Sequence, residues 1–372
     1  MYRKFLMSLS KIFPYGAAFS SAALVIASMS CNAFAATDAI AKTGTKYKAG
    51  KEMQGVLDTL GSLNGKPIET LEPAEARQQP TPTDAVIAIL KKQGKSTEPT
   101  TLVLGVSSKD MEIPGPAGPL AVRVYTPAGK GPFPIVVYYH GGGWVIGSKE
   151  VYDGGARGIS KQANAIVVSV DYRLAPEVKF PAQHEDSLAT YKWAFSNAAS
   201  INGDSKRLAL AGESAGGNLA IATAIAARDQ GLQKPLHIVS VYPIAQVANM
   251  ATPSYVDSAA AKPLNKPMMA WFAKYTFGKV EDSRDPRVNL IDANLSGLSP
   301  ITLISAQIDP LRSDAEMLQT SLKKAGVKVE HKVYPGTTHE FFGMAAVVPS
   351  AKEAQALAGR RLREAFTNTI AP

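Results

Sequence analysis

Residues 212–217 read Gly-Glu-Ser-Ala-Gly-Gly. The apolar run Leu208-Ala-Leu-Ala211 leads into this stretch, and Ala215 opens a segment of helical character that reaches about residue 228. Gly-x-Ser-x-Gly alone is a weak signal in a chain with 30 glycines. Its position between a predicted strand and a predicted helix is a stronger one. A sharp strand-to-helix turn forces strained dihedrals on the serine, and small flanking residues remove the clashes. Such a turn holds the Ser214 hydroxyl clear of a sheet, beside the free N–H groups and positive potential of a helix N-terminus. A nucleophile there requires a base, an acid behind the base and donors for an oxyanion.

Five histidines are available as the base. His237 and His331 fall in predicted strands, His184 sits early in a predicted helix, and His140 belongs to a glycine run. His339 remains, in Gly336-Thr-Thr-His-Glu340, just after a strand ending at Tyr334. Taken alone it reads as a surface-loop histidine, but α/β sheets place their chemistry at such strand ends. Asp309, in Gln307-Ile-Asp-Pro-Leu311, also follows a strand and is the preferred acid. Asp314 is its rival and reads more naturally as a helix cap. His140-Gly-Gly-Gly143 follows the apolar run 134–139, and its glycines let backbone N–H groups approach a substrate oxygen. A phosphate cradle is the competing reading, but no lysine or serine follows at the required spacing. The elbow, the histidine loop, the acid loop and the glycine run agree independently.

Outward from these motifs, residues 120–125 alternate as a half-buried strand, and strands of apolar texture recur at 134–139, 165–170, 208–211, 238–242, 301–305 and 327–334. Stretches of helical length lie between them, at 153–163, 183–197, 215–228 and 314–325, with a last helix at about 351–368. Strands alternating with helices predict an α/β fold with a mostly parallel sheet covered on both faces. Residues 51–95 have helical character, with Met53, Val56, Leu57 and Leu60 at helical spacing and a second helix from Thr83-Asp84. The segment up to Gly50 reads as a flexible lead-in. Residues 246–280 interrupt the alternation with Met268, Met269, Trp271, Phe272, Tyr275 and Phe277 and read as a cap insert, against a plain pair of surface helices. The expected organisation is therefore a leader over 1–35, a lead-in with cap helices over 36–100, and a catalytic domain over 101–372.

The leader carries Arg3, Lys4 and Lys11, an uncharged apolar stretch from Ala17 to Met29, and Ala33-Phe-Ala35 as a cleavage site before Ala36. This is the pattern of a secretory signal peptide, and its apolar core is short for a bilayer span. Periplasmic or secreted location follows, with no stable membrane anchor. The only cysteine, Cys31, leaves with the leader, so the mature chain has no disulfide. A lipid on Cys31 is disfavoured by Ser28, where an aliphatic residue is expected. The net charge of +9 falls to +6 without the leader and is spread along the chain, so nucleic-acid binding is not expected. No paired-cysteine motif or His-Glu-x-x-His helix is present, so neither a metal nor a cofactor is expected.

His140-Gly-Gly-Gly-Trp144, Asp171-Tyr-Arg-Leu-Ala-Pro176, Gly212-Glu-Ser-Ala-Gly-Gly217, Asp309-Pro-Leu311 and His339-Glu-Phe341 together resemble the bacterial hormone-sensitive-lipase-like esterases. The resemblance covers roughly residues 51–370. It implies an α/β-hydrolase fold with a helical cap, and hydrolysis of small carboxylic esters with short to medium acyl chains. The order Ser214, Asp309, His339 matches the nucleophile–acid–histidine order of that fold. The resemblance also implies an oxyanion hole from the N–H groups of Gly142, Gly143 and Ala215. Glu213 stands where the family usually has aspartate. Asp171, Arg173 and Glu213 are read as structural. Trp144 is read as packing beside the glycine loop, and with Trp271 and Phe272 it is a candidate for the substrate pocket. A lactonase or amide hydrolase would use the same triad. A binding protein on a hydrolase scaffold, similar to the plant gibberellin receptor, would have lost the histidine, which is present here. The sequence is compatible with a homodimer and does not name the natural ester.

Overall fold

The computed structural model describes residues 45–367. The expected leader, its cleavage site and Cys31 lie outside the described residues. Eight strands form one sheet: β1 (Val106–Gly115), β2 (Gly118–Pro127), β3 (Phe133–Tyr139), β4 (Ile166–Val170), β5 (Gly203–Glu213), β6 (Ile238–Val241), β7 (Ile301–Ile308) and β8 (Val329–Thr338). Their order is β1-β2-β4-β3-β5-β6-β7-β8. β2 is antiparallel to both β1 and β4, and the pairings from β4 through β8 are parallel. The C-terminal ends of β3 to β8 therefore share one edge.

Eleven α-helices accompany the sheet among the described residues. α1 (Lys51–Ser62), α2 (Pro73–Ala76), α3 (Pro82–Lys92) and α4 (Pro99–Leu102) precede it. α5 (Asp153–Ala163), α6 (Ala182–Ser196) and α7 (Ala215–Asp229) follow β3, β4 and β5. α8 (Pro253–Asp257) and α9 (Lys266–Thr276) lie between β6 and β7, and α10 (Arg312–Lys324) and α11 (Pro349–Thr367) complete the chain.

Every residue of β3 and β4 is buried, which is why both read as unbroken apolar runs. Within β3 the two faces still separate. Ile135, Val137 and Tyr139 join the core formed with α6 and α7, whereas Val136 and Tyr138 join the core formed with α5 and α11. β1 was not foreseen. It is an outer strand with Ser107 to Asp110 exposed, so it carries charge where an apolar pattern would be sought. Its signal is the turn Gly115-Pro-Ala-Gly118 before β2.

Two local readings shift. α3 starts earlier than Thr83: Thr81 is its N-cap, with Pro82 in the first turn, and Thr81 and Asp84 exchange the two bonds of a capping box. The end of the lead-in is not free. The Lys46 N–H donates to the Asp257 carbonyl at 2.8 Å, and the Gly50 N–H donates to the Gly336 carbonyl at 2.8 Å. Arg312 lies over the Tyr47 ring.

Candidate active site

β5 delivers Glu213 to the shared edge, and α7 starts at Ala215. Ser214 between them has φ 57° and ψ −117°, a conformation that L-residues avoid. Its N–H donates to Val241 of the neighbouring strand at 2.8 Å, and its carbonyl accepts from Asn218 and Ile244. The turn is tight enough to dictate its neighbours. A Cβ on Gly216 would fall 1.9 Å from the Tyr139 carbonyl oxygen, so only glycine fits there.

His339 arrives at the end of β8, and Asp309 follows β7 directly. His339 Nε2 lies 2.9 Å from Ser214 Oγ, and His339 Nδ1 lies 2.7 Å from Asp309 Oδ2. A carboxylate only accepts, so Nδ1 carries the proton and Nε2 is left to accept from the serine. The Leu311 N–H donates to the second oxygen of Asp309 at 2.8 Å. All three side chains are buried. Burial alone would lower the His339 pKa, but the charge and hydrogen bond of Asp309 outweigh it and raise the imidazole above its ordinary value. Asp314 is not brought into this chain. It does not cap α10 either, because it lies buried in the first turn and accepts from Gln246 at 3.1 Å.

The glycine run faces the same point. The Gly142 carbonyl accepts the N–H groups of Val145 and Ile146, and the Gly141 carbonyl accepts from Tyr172 and contacts His140 Nδ1. In a trans peptide the N–H points opposite to the C=O. Fixing these two carbonyls therefore turns the N–H groups of Gly142 and Gly143 the other way. Neither they nor the Ala215 N–H has an acceptor among the described residues.

A cavity of about 310 Å³ opens over these groups, lined by Ser214, His339, Gly142 and Gly143. Both expected cap segments wall it, with Leu57 and Ile68 from one and Leu264 and Phe272 from the other. The two segments are joined by hydrogen bonds from Trp271 Nε1 to the Leu71 carbonyl, from Tyr275 to Glu72 and from Asn265 to Glu69. Of the three aromatic residues expected in the pocket, Phe272 lines it. Trp271 instead turns its indole to Leu71. Trp144 is buried beside Phe277, ring centroids 6.1 Å apart, and does not line the cavity. Among the described residues no cluster of His, Cys, Asp and Glu could hold a metal ion.

Residues 136–343 match the model of a protein family described as having the alpha/beta hydrolase fold. The chain is 41% identical over 240 residues to carboxylesterase NlhH of Mycobacterium tuberculosis (strain CDC 1551 / Oshkosh), covering 63% of this chain and 75% of that protein. It is 32% identical over 294 residues to an ethyl acetate hydrolase of Pseudomonas putida, covering 77% and 88%. The solved structure of a hyperthermophilic esterase from the archaeon Pyrobaculum calidifontis superposes with a TM-score of 0.76 at 33% identity, covering 86% of this chain and 98% of that one. The chain belongs to the hormone-sensitive-lipase-like esterases of the α/β-hydrolase fold.

Residues inside and outside the motifs shape this esterase's site. Arg77, just after α2, donates through Nε to the Val145 carbonyl at 2.9 Å and through Nη2 to the Ala175 carbonyl at 2.8 Å. It thereby ties the cap to the loop that follows Gly142 and Gly143. Thr276, in α9, donates to the Gly143 carbonyl at 3.1 Å, and the Phe272 ring lies where a Gly143 Cβ would project. Behind the triad, Tyr138 and Tyr242 both donate to the buried Glu213, and the Tyr242 ring lies 4.4 Å from that of His339. Burial, then the charge of Glu340, pushes the Glu213 carboxyl up to about 8, against the two tyrosines. Arg173 forks onto Asp186, and Asp171 pairs with Lys149 at 2.7 Å. Glu213, Asp171 and Arg173 were legible as structural residues of their motifs. The tyrosines and Arg77 act through distances of 29 or more residues in sequence, which no local pattern encodes.

Proposed function

We propose that this esterase hydrolyses short- to medium-chain carboxylic esters through an acyl-enzyme on Ser214. The observation that carries the reading is the continuous Ser214–His339–Asp309 hydrogen-bond chain on the floor of the cavity. His339 Nε2 takes the Ser214 proton as Oγ attacks the ester carbonyl, and Asp309 stabilises the resulting imidazolium. The N–H groups of Gly142, Gly143 and Ala215 receive the oxyanion. His339 then protonates the departing alcohol. Water, deprotonated by the same nitrogen, attacks the acyl-serine, and the acid leaves with Ser214 restored.

The acyl range rests on size. About 310 Å³ is at the small end of ligand pockets, which run from about 300 to 1,000 Å³. A long acyl chain would pull the carbonyl away from its donors. The test is an acyl-length series of p-nitrophenyl esters, with lactones and anilides alongside, on wild type and Ser214→Ala. Ester turnover should peak at short to medium length and fall by about 10⁴-fold or more in the variant. Activity within tenfold of wild type in S214A removes the nucleophile; faster lactone than ester turnover changes the substrate class.

The leader pattern supports a second proposal, that the enzyme works in the periplasm or outside the cell. Mass spectrometry of the protein from its host should find Ala36 at the N-terminus. Retained Met1, or a lipid on Cys31, would refute it.

A further inference from the structure

Glu340 has no part in the mechanism above. It follows His339 directly and sits at φ 70° and ψ 0°, in the left-handed region that favours glycine. Its carboxylate lines the cavity with Ser214, His339 and Tyr152. One oxygen, Oε1, accepts the Tyr152 hydroxyl at 2.6 Å, which fixes the rotation of the carboxylate. That is the hydrogen bond of the Glu340 side chain among the described residues, and the residue is only half-buried where it lines the cavity. Leu57, Ile146 and Val151 line the same space. Burial raises the Glu340 carboxyl above its ordinary value, while His339 and Tyr152 oppose the rise. A carboxylate held in rotation beside the nucleophile can accept a hydrogen bond from a donor on the molecule that occupies the cavity, and pairing it there offsets the cost of displacing its water. A strained backbone that persists beside the catalytic histidine points the same way.

We propose that Glu340 is a substrate-recognition residue, and that this esterase favours esters bearing a hydrogen-bond donor, a hydroxyl or an ammonium, close to the scissile carbonyl. The inference rests on the esterase reading with Ser214 as nucleophile. It names the substrate class and leaves the order of bond making and breaking unchanged.

The test compares kcat/KM within matched esters. On the acyl side these are p-nitrophenyl butyrate, 3-hydroxybutyrate, 3-methoxybutyrate and 3-aminobutyrate. On the alcohol side they are 2-hydroxyethyl and 2-methoxyethyl butyrate. The methoxy compounds keep the oxygen and remove the donor. Wild type should prefer the hydroxy ester over its methoxy partner by about tenfold or more on one side, about tenfold being the lower end for a hydrogen bond to a charged group. Glu340→Gly, which places glycine where the backbone favours it, should bring that ratio to about one. Glu340→Gln should keep part of it. The amino ester separates a cationic from a neutral donor. Hydroxy-to-methoxy ratios near one on both sides in wild type would overturn the proposal, and so would an unchanged ratio in E340G. Plain butyrate keeps the two readings apart. If it is hydrolysed with flat ratios, recognition by Glu340 fails; if it is not hydrolysed at all, the esterase reading fails with it.

Discussion

The sheet edge and the cap meet at one cavity, yet they are held in different ways. Ser214, Asp309 and His339 sit at the ends of β5, β7 and β8, and β5 and β7 each have paired strands on both sides. Their backbones are fixed before any side chain is considered. The cap has no such frame. Its helices run from 4 to 12 residues, and side-chain bonds such as Trp271 to Leu71 and Asn265 to Glu69 stitch its halves together. Chemistry that tolerates little misplacement lies on the rigid part, and the walls that choose the ester lie on the part that can vary. Arg77 and Thr276 cross from one to the other, so the cap also helps to hold the loop that carries Gly142 and Gly143.

The sheet edge breaks most completely at Asp309. Asp309→Asn should lower kcat by about 10⁴-fold, because the amide can present its N–H to Nδ1 and favour the wrong tautomer. The surviving activity carries a second sign. Asp309 raises the His339 pKa, and the imidazole must be neutral to accept the serine proton. Wild-type activity should therefore fall with acid at a pH above the ordinary histidine value of about 6.5. Removing the Asp309 charge should move that limb to lower pH. Asp314→Asn is the control. Burial, against the Gln246 hydrogen bond and with the charge of Asp309, pushes the Asp314 carboxyl well up, which lowers the cost of replacing it by a neutral amide of the same shape. Its kcat should change by less than about threefold. A larger loss in D314N than in D309N would reverse the assignment of the acid.

This difference in framing also decides what could be read from the sequence. Buried parallel strands need apolar residues on both faces, so β3 to β7 announce themselves, and the motifs follow at strand ends. Gly216 is legible because no other residue fits its space. β1 escaped because an edge strand bears charge, and the ordering of Lys46 to Gly50 escaped because it depends on distant carbonyls at Asp257 and Gly336. The aromatic cap residues were visible as a group, but not which of them faces the cavity. Helical spacing places Trp271 and Phe272 on adjoining faces, and only the position of Leu71 decides that the indole turns away.

The junction should be intermediate. Arg77→Met removes the fork from the Val145 and Ala175 carbonyls, and the oxyanion loop loses its hold on the cap side. kcat should fall by about tenfold with little change in KM, since the donors matter more in the transition state than in the bound ester. Glu177→Gln should cost much less. Its carboxylate is 60% exposed, and exposed ion pairs contribute little. If R77M instead raises KM at constant kcat, Arg77 serves only to close the cavity, and the cap is a wall and nothing more.

The smallest effect belongs to the cap alone. Phe272 lines the cavity and presses on Gly143, so its ring limits the space next to the oxyanion donors. Phe272→Leu shortens that wall while leaving an apolar side chain to cover Gly143. Each methylene of acyl chain that enters the new space should gain up to about 0.8 kcal/mol, about fourfold in kcat/KM. The acyl optimum should therefore move to longer chains by one or two carbons, with kcat on the shortest esters falling only a few-fold. Trp271→Phe supplies the contrast. It removes the bond to Leu71 and should lower the melting temperature, but its side chain is not part of the wall, so the optimum should stay where it is. A shift in W271F as large as that in F272L would mean that chain-length choice depends on how firmly the two cap segments are joined, rather than on the single ring that faces the ester.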